Sequence, residues 1–540
     1  MNDRSATDPS SSRIDRRGFC RWSMGALAAS ALPAAQAWPQ GQSRRHRPNV
    51  VMMLSDDVGL HKGAYGSRFV HTPAFDRVAS EGALFHRAHA SSASCGPSRA
   101  SMLTGRHVWQ NGEGGVHLSV LPDVYPSYIE LLHEAGYHCG LHDVTFKPGR
   151  SLRSFHPPGT QYKAGRGQQP AESLRRCLAD REPGQPFHFW ATTYHGHGPW
   201  EAGIGLGNGK KLADVDMPPY LPDNDLQRSW LLDYGYEIDV FDREVAGVLA
   251  VLEEIGEFDN TIVVVSSDNG INRPMGKGMG CYGPGTAVPL AIRWGERIAP
   301  GTVSHDLVSL TDLAPTFLEA AGIEPMPTMV GRPLSPIFDA GGSGRLDPAR
   351  GELFTGFEVH SRVRPATEPC YPVRSILTER FHYIWNLEPD RDFWGQQTRH
   401  YRWFGPPGDP IPRMAYHHGQ YTTEFHDRLM RQRRPDDELY DVRADPGYRD
   451  NLADDPSHDA TRRELRDRLE SRLRSDGDPR LTGNGEAFEH AARHIPSFYF
   501  NDSLKSLGYK PMDEAYETKF AFADRQKLPV DRRNRPWRGR

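Results

Sequence analysis

Residues 95–106 read CGPSRASMLTGR, and the rest of the chain is organised around this stretch. Proline is favoured in the first turn of a helix and glycine often ends one, so Pro97 and Gly105 predict a short helix that starts next to Cys95. The N-terminus of a helix offers unpaired N–H groups and a partial positive charge, which together bind tetrahedral anions. Arg99, one turn into the helix, adds a rigid fork of donors. The stretch therefore predicts an anion site beside a cysteine.

A continuous apolar run, NVVMML at residues 49–54, precedes this stretch and leads into SDDVG. Such a run is typical of a parallel strand that is buried on both faces. Its carboxyl end carries Asp56 and Asp57, and open α/β sheets bind their ligands at the carboxyl ends of strands. Two adjacent carboxylates repel one another unless a cation lies between them. An acidic turn without a metal is the alternative that this pair alone leaves open.

A second apolar run, TIVVV at residues 261–265, ends in a similar way, in SSDNG. This run predicts that Asp268 and Asn269 lie at another strand end. Three carboxylates and an amide oxygen are hard ligands that suit Ca²⁺ first and Mg²⁺ second, whereas a soft metal would need Cys or His. Lys277 follows a few residues later, either as an anion-binding lysine or as a solvated loop residue.

The order Cys-x-Pro-Ser-Arg and then Leu-Thr-Gly-Arg resembles the signature of the type I sulfatases. In that family a formylglycine-generating enzyme converts the cysteine to formylglycine (3-oxoalanine), an aldehyde whose hydrate is the nucleophile. The resemblance implies that Cys95 is modified, that Arg99 stabilises the hydrate and that the metal is Ca²⁺. The implied metal ligands are Asp56, Asp57, Cys95, Asp268 and Asn269. A buried structural cysteine is the alternative interpretation.

The resemblance also implies roles for basic residues at later strand ends. Lys277 corresponds to the lysine that contacts the sulfate in this family. The strand-like run 187–194 leads into HGHGP, where His197 best resembles the family's histidine on the leaving-group side. His195 is the alternative, and a structural loop histidine is the common case for either position.

One family element is missing from this sequence. Sulfatases usually carry Gly-Lys-x-His after the next strand, and Val144 and Phe146 stand where the lysine and the histidine are expected. Lys147 and His142 are the candidates to replace them from shifted positions, although lysines and histidines on loops are usually only solvated.

The resemblance covers about residues 48–475. It implies an α/β fold like that of alkaline phosphatase, in which helices sandwich a mixed sheet and a smaller α+β subdomain follows. A chain of 540 residues also favours two domains with extensions. We expect a signal peptide, a catalytic domain, a C-terminal subdomain with an antiparallel sheet and a helix, and an extension, at residues 1–37, 38–364, 365–475 and 476–540. Within them, residues 201–232 read as an irregular insertion and residues 233–254 as a long helix.

Residues 1–37 resemble an export signal. They contain RRGF at 16–19, a short apolar stretch and the cleavage pattern AQA at 35–37. We favour the twin-arginine route over an ordinary secretory signal, and thus a periplasmic or extracellular protein. The apolar stretch is too short to span a bilayer, so we expect no stable membrane insertion.

Composition gives no support for nucleic-acid binding, a zinc site or a disulfide scaffold. Lys and Arg number 65 against 69 Asp and Glu, a balance that gives no reason to expect nucleic-acid binding. The six cysteines form no CxxC pair and no dense framework, so neither a zinc site nor a disulfide scaffold is indicated.

Three stretches resemble sulfatases that act on N-sulfated glucosamine. They are YGPGTAVPL at 282–290, WQNG at 109–112 with His117 after it, and YPVRSI at 371–376 with Glu358 and His360 before it. The resemblance implies a sulfated saccharide as substrate, cleaved at its N-sulfate. The residues expected near the sugar are His117, Glu358, His360 and Arg374. Each of these residues could equally be structural, and the missing Gly-Lys-x-His leaves an O-sulfate of another glycan, or an aryl sulfate, open.

Other function classes also remain open at this point. The same fold and a similar site serve phosphate and phosphonate esters, so fold alone does not decide the reaction. An inactive carbohydrate-binding relative and a calcium-dependent structural protein are the non-enzyme alternatives. The intact cysteine signature argues against both, because binding alone does not require it.

Overall fold

The computed structural model describes residues 47–142, 162–164, 169–271, 276–360, 369–393 and 433–491, apart from positions 118, 120, 123, 199, 222, 296, 392, 484 and 490. The expected signal peptide lies outside the described residues. The strands are β1 (Asn49–Ser55), β2 (Ala83–Phe85), β3 (Ala88–His89), β4 (His138–His142), β5 (Tyr162–Ala164), β6 (Phe187–Thr192), β7 (Thr261–Ser267), β8 (Leu290–Arg293), β9 (Thr302–Ser304), β10 (Val308–Ser309), β11 (Ser343–Gly344), β12 (Glu352–Phe357), β13 (Val373–Thr378), β14 (Phe381–Asn386) and β15 (Asp437–Asp441).

The α-helices are α1 (Pro73–Ser80), α2 (Cys95–Thr104), α3 (Tyr128–Glu134), α4 (Pro170–Ala179), α5 (Ile204–Gly207), α6 (Asp225–Glu254), α7 (Gly283–Thr286), α8 (Leu313–Ala320), α9 (Ser335–Ala340), α10 (Asp459–Ser475), α11 (Pro479–Thr482) and α12 (Glu486–Glu489). Short 3-10 helices span Gly63–Tyr65, Val108–Gln110, Gly112–Gly115, Leu212–Asp214, Leu310–Asp312 and Pro456–His458. None of these helices is long and apolar enough to cross a membrane.

Nine strands form the central sheet, in the order β11-β9-β2-β8-β7-β1-β6-β4-β5. β1 lies between β6 and β7 and runs parallel to both, while β8 runs antiparallel to β7. The side chains of β1 alternate between two apolar clusters, with Val50 and Met52 in one and Val51 and Met53 in the other. Both faces of the strand are therefore covered, which explains its unbroken apolar sequence. The predicted mixed sheet between helices is confirmed.

Strand register brings the polar strand ends together. Ser55 of β1 pairs with Ser267 of β7, and Leu54 pairs with Thr192 of β6. Because these parallel strands end at the same edge, the residues after each of them leave the sheet side by side.

The helix predicted from residues 95–106 is confirmed as α2. Ser94 precedes it in an extended conformation, and Gly105 ends it in the left-handed region with φ +63°. Every residue of α2 is buried. Its N-terminus is thus an interior feature of the fold.

The long helix differs from its prediction, because α6 starts at Asp225 and takes in part of the expected irregular insertion. Asn224 caps it, since its side-chain oxygen accepts a hydrogen bond of 3.0 Å from the backbone N–H of Gln227. Trp230 and Leu231 are buried in this first part of the helix. Their packing therefore stabilises the helical turns before residue 233.

A second sheet has four antiparallel strands in the order β12-β13-β14-β15. It begins at Glu352, before the expected domain boundary at residue 365. Helix α10 buries Leu465, Leu469 and Leu473, which share an apolar cluster with Trp109 from the region after α2. The C-terminal subdomain and the segment that follows the cysteine helix therefore share one core.

We expect Leu469→Ala to lower the free energy of unfolding by about 2–5 kcal/mol, because the change removes a fully buried side chain from this shared core. Urea unfolding followed by circular dichroism measures the loss. Arg463→Ala is the control, since Arg463 lies on the same helix, 71% exposed, and pairs with Asp459 at the surface. A loss in Leu469→Ala no larger than that in the control would contradict the packing described here.

Candidate active site

Three buried carboxylates meet at the edge of the central sheet. Asp56 and Asp57 follow β1, Asp268 follows β7, and one oxygen of each lies within 4.8 Å of the others. Burial raises the pKa of all three carboxyls, and burial together with the charge of Asp56 raises the pKa of Asp268 to about 7. The cluster is therefore costly to keep ionised without positive charge beside it.

Asp57 is held in an unusual backbone conformation, with φ +61°. A non-glycine residue in the left-handed region costs about 1–3 kcal/mol. Neighbouring hydrogen bonds hold the turn: the Tyr234 hydroxyl accepts from the N–H of Gly59 at 3.0 Å, and the Ser267 hydroxyl accepts from the N–H of Val58 at 2.8 Å. In this conformation the Asp57 carboxylate lies beside those of Asp56 and Asp268.

Two buried cations face the carboxylates. The Arg99 guanidinium donates through Nε to Oδ2 of Asp268 at 3.0 Å. Its Nη2 forms ion pairs with the same oxygen at 2.8 Å and with Asp56 at 3.6 Å. The Lys277 ammonium lies 2.5 Å from Asp57 and 3.8 Å from Asp56. Burial alone would lower the pKa of Lys277, but Asp57 and its neighbours raise it well above the usual value.

Two cations against three carboxylates leave one negative charge in the site. A bound divalent cation would turn this into one net positive charge, which favours an anionic substrate.

The donor atoms fit a hard cation. Both side-chain oxygens of Asp56, Oδ2 of Asp57 and Oδ1 of Asn269 are buried and accept no hydrogen bond from the residues that the structure describes. Asn269 donates through Nδ2 to Asp57 at 3.0 Å, an arrangement that leaves its carbonyl oxygen available. Orphaned buried oxygens of this kind call for a partner, and oxygen ligands suit Ca²⁺ or Mg²⁺.

Cys95 lies at the first position of α2 beside two histidines. Its Sγ is 3.5 Å from Nε2 of His117, and the His117 ring stacks on that of His360 at a centroid distance of 4.0 Å. Nδ1 of His360 lies 2.8 Å from the Ser94 hydroxyl. Burial raises the pKa of the Cys95 thiol to about 12, so the unmodified thiol is a poor nucleophile.

The two candidate histidines after β6 point in different directions. Nε2 of His197 lies 3.9 Å from Asp57, so this ring belongs to the site. His195 instead pairs with Glu237 and Glu244 of α6, at 2.7 and 3.4 Å. Burial would lower the pKa of His195, but the two glutamates outweigh it and raise the pKa to about 9.

Gly196, between these histidines, has φ +100°, and a Cβ there would lie 2.2 Å from the carbonyl oxygen of Asp56. Only glycine lets this loop approach the acidic cluster so closely.

Arg374, Glu358 and His142, which were also expected near the substrate, are not brought to the site. Arg374 is fully buried between Glu358 and Asp478, at 2.7 and 2.6 Å. His142 lies 2.7 Å from the Ser173 hydroxyl of α4. Lys147 lies outside the described residues, as do Val144 and Phe146.

The family models match both parts of this architecture. Residues 48–323 match the model described as Sulfatase, and residues 279–389 match the one described as N-sulphoglucosamine sulphohydrolase, C-terminal. The chain belongs to the sulfatase family. This sulfatase is 30% identical over 479 residues to N-sulphoglucosamine sulphohydrolase of Homo sapiens, with 79% of this chain and 90% of the relative covered. The family and the hydrolytic class predicted from residues 95–106 are thus confirmed.

Some other relatives match at lower identity. An ulvan-active sulfatase of Formosa agariphila is 25% identical, with 80% of this sulfatase and 76% of the relative covered. Two solved structures share the fold. One, solved in complex with its substrate D-glucosamine-2-N,6-O-disulfate, has a TM-score of 0.58 and 20% identity and covers 81% of this chain and 99% of its own. The other, a phosphonate monoester hydrolase of Agrobacterium radiobacter, has a TM-score of 0.57 and 18% identity. That match covers 81% of this chain and 97% of the hydrolase.

Sequence reasoning missed several supporting residues of this sulfatase. Ser98 donates at 2.6 Å to the backbone oxygen of Asp268, and so ties α2 to the end of β7. The position of Ser98 within the 95–106 stretch was a sequence signal that could have indicated its role. No local sequence pattern indicates the roles of Tyr234 and Ser94, because these roles depend on contacts between segments that are distant in sequence.

We expect a divalent cation to raise the free energy of unfolding by about 2.7 kcal/mol at a hundred times its Kd, because it binds only the native carboxylate cluster. The measurement is a thermal melt with and without a chelator. Asp268→Asn should lose most of this response.

Asp242→Asn is the matched control, since Asp242 is a buried carboxylate outside the cluster that accepts hydrogen bonds from the N–H groups of Ala74 and Phe75. It should keep the full response. An equal response in both variants would mean that the cation binds elsewhere.

Proposed function

We propose that this sulfatase hydrolyses the N-sulfate of a glucosamine residue in a sulfated saccharide, as N-sulphoglucosamine sulphohydrolase (sulfamidase) would, and that it takes part in glycosaminoglycan degradation. The observation that carries the proposal is the 30% identity to the human relative of that name, which extends through both domains. The substrate in complex with the structural neighbour, a glucosamine with an N-sulfate and an O-sulfate, is compatible with it.

The nucleophile in this proposal is a modified Cys95. A thiol whose pKa burial raises to about 12 would attack poorly, which supports conversion of Cys95 to formylglycine by a formylglycine-generating enzyme during biosynthesis. The hydrated aldehyde offers two hydroxyl groups, one to attack the sulfur and one to expel sulfate as the aldehyde reforms.

Ca²⁺ is the proposed metal, held by Asp56, Asp57, Asp268 and Asn269 together with residue 95. When bound, it lowers the pKa of an oxygen nucleophile and neutralises charge on the sulfuryl group. The four side chains supply only oxygen ligands, which favours a hard cation over a soft one.

The remaining roles fall to residues around the cluster. Arg99 and Lys277 offset negative charge on residue 95 and on the sulfuryl oxygens. His197, on the leaving-group side, donates a proton to the departing nitrogen, so that the amine leaves neutral. His117 and His360 contact the sulfate from the side of residue 95, since His117 lies 3.5 Å from Sγ of Cys95 and stacks on His360. Lys147 stays a candidate for a substrate contact.

Export by the twin-arginine route belongs to the same proposal. It rests on residues 16–19 and on the cleavage pattern at 35–37. A periplasmic or extracellular location would bring the enzyme to a saccharide that the cell has not yet taken up.

We expect the enzyme to release sulfate from N-sulfoglucosamine with a kcat/KM at least about tenfold above that for 6-O-sulfoglucosamine, which is about 1.4 kcal/mol of transition-state preference. A simple aryl sulfate and a phosphonate ester complete the panel. The opposite order between the two sugars would replace the N-sulfate assignment with an O-sulfate one. Preference for the phosphonate would overturn the sulfate assignment as a whole.

Cys95 should be found as formylglycine in protein isolated from its native host, by mass spectrometry of the peptide that spans residues 95–106. Cys281, another buried cysteine, is the internal control and should remain a thiol. Cys95→Ala should abolish turnover and leave the melting temperature close to that of the wild type, because the smaller side chain fits the same buried space. Active protein that carries only the Cys95 thiol would refute this mechanism.

A further inference from the structure

A buried network of ion pairs joins residues 478–489, called the C-terminal segment below, to the loop after β12. Glu358 is fully buried and accepts from two arginines, with Oε1 2.7 Å from Arg374 and Oε2 2.6 Å from Arg480. Asp478 binds Arg374 at 2.6 Å, and Glu489 binds Arg480 at 2.7 Å. Residues 478–489 thus hold Glu358 from two sides, and a buried carboxylate with two such partners has little freedom to move.

Glu358 is two residues from His360, one of the two histidines beside Cys95. Glu489 also accepts from the backbone N–H of Cys370 at 2.6 Å, and the N–H of Tyr371 donates to the carbonyl of Glu358 at 2.8 Å. Both ends of the connection between β12 and β13 are therefore tied to the C-terminal segment. The contacts that hold Glu358 therefore act on the same short stretch of chain that carries His360.

The same segment reaches the second histidine through apolar packing. Phe488 is fully buried in a cluster that includes Val116, directly before His117, and Val359, directly before His360. A Cβ at Gly115 would lie 3.5 Å from the Phe488 ring, so the Gly112–Gly115 turn packs close to it. One aromatic side chain thus contacts the apolar cluster that supports both histidine-bearing loops.

From these contacts we infer that residues 478–489 form a positioning element for the stacked pair of His117 and His360 at residue 95, with Arg480 as its central positioning residue. The segment lies beyond residue 389, where the second family model ends. Its hydrogen bonds and ion pairs among the described residues run to Glu358, Arg374, Cys370 and Arg391, so we expect its effect to pass through Glu358 and Phe488. The inference rests on the proposed role of the two histidines in binding the sulfate.

The test is a double-mutant cycle on kcat with Glu358→Gln, Arg480→Gln and the double variant, in the full chain carrying formylglycine. Displacement of an active-site group by about 1 Å lowers turnover by about a hundredfold, so each single variant should lose about 10- to 100-fold in kcat. The double variant should lose no more than the worse single variant, because both changes break one interaction.

Arg293→Gln is the matched control. It removes a buried arginine on β8, whose Nη2 lies 2.6 Å from Asp259, without touching Glu358, Arg480 or the apolar cluster around Phe488, and it should keep the kcat of the wild type below its melting temperature. Equal losses in the control, or wild-type kcat in both single variants, would overturn the inference while the proposed function stands.

Crystal structures of wild type and Glu358→Gln give a readout that does not depend on turnover. We expect the variant to lose the His117–His360 stack, which has a centroid distance of 4.0 Å here, or the contact of His360 with Ser94. An unchanged pair in the variant would overturn the inference. A wild-type enzyme that releases no sulfate from any substrate would instead refute the proposed function, and the variant structures would still decide the positioning role.

Discussion

The register of two parallel strands forces together Asp56, Asp57 and Asp268. Buried positive charge around these carboxylates offsets their mutual repulsion. β1 and β7 end side by side, so their first polar residues share a small buried volume. Burial raises the pKa of each acid, and three ionised carboxylates would be unstable there alone. Arg99 from α2 and Lys277 from the loop after β7 are both turned inward toward them.

This charge constraint also explains why the cysteine helix is buried. A helix N-terminus carries partial positive charge, and α2 points that end into the region where the carboxylates meet. Ser98 and Arg99, on its first turn, bind the backbone oxygen and the carboxylate of Asp268. The helix is thus fixed to the sheet by the same interactions that balance the charge, and Cys95 is fixed with it.

The C-terminal subdomain contributes to the site as well as to the core. Its first connection carries His360, which stacks on His117 and lies next to Ser94. Trp109, in the segment that runs from α2 to His117, is buried among residues of the C-terminal sheet and helix. The expected domain boundary at residue 365 therefore divides a unit that is continuous in space, because sheet pairing begins at Glu352.

The sequence by itself determined the strands, the cysteine helix and the family. The apolar runs of β1 and β7 and the spacing of residues 95–106 are local patterns, and a local pattern can be read without knowing what packs against it. The same patterns indicated the acidic pairs, because their position at strand ends follows from the strands themselves.

Only the tertiary structure decided which polar side chains face the site. His195 and His197 stand two residues apart on one loop, yet His195 pairs with glutamates of α6 and His197 faces Asp57. Arg374 is of a type suited to bind a carboxylate or a sulfate, but Glu358 and Asp478 enclose it. The type of a residue determines which groups its side chain is able to bind. Which partner it binds depends on segments that are distant in sequence, and these are brought near only when the chain packs.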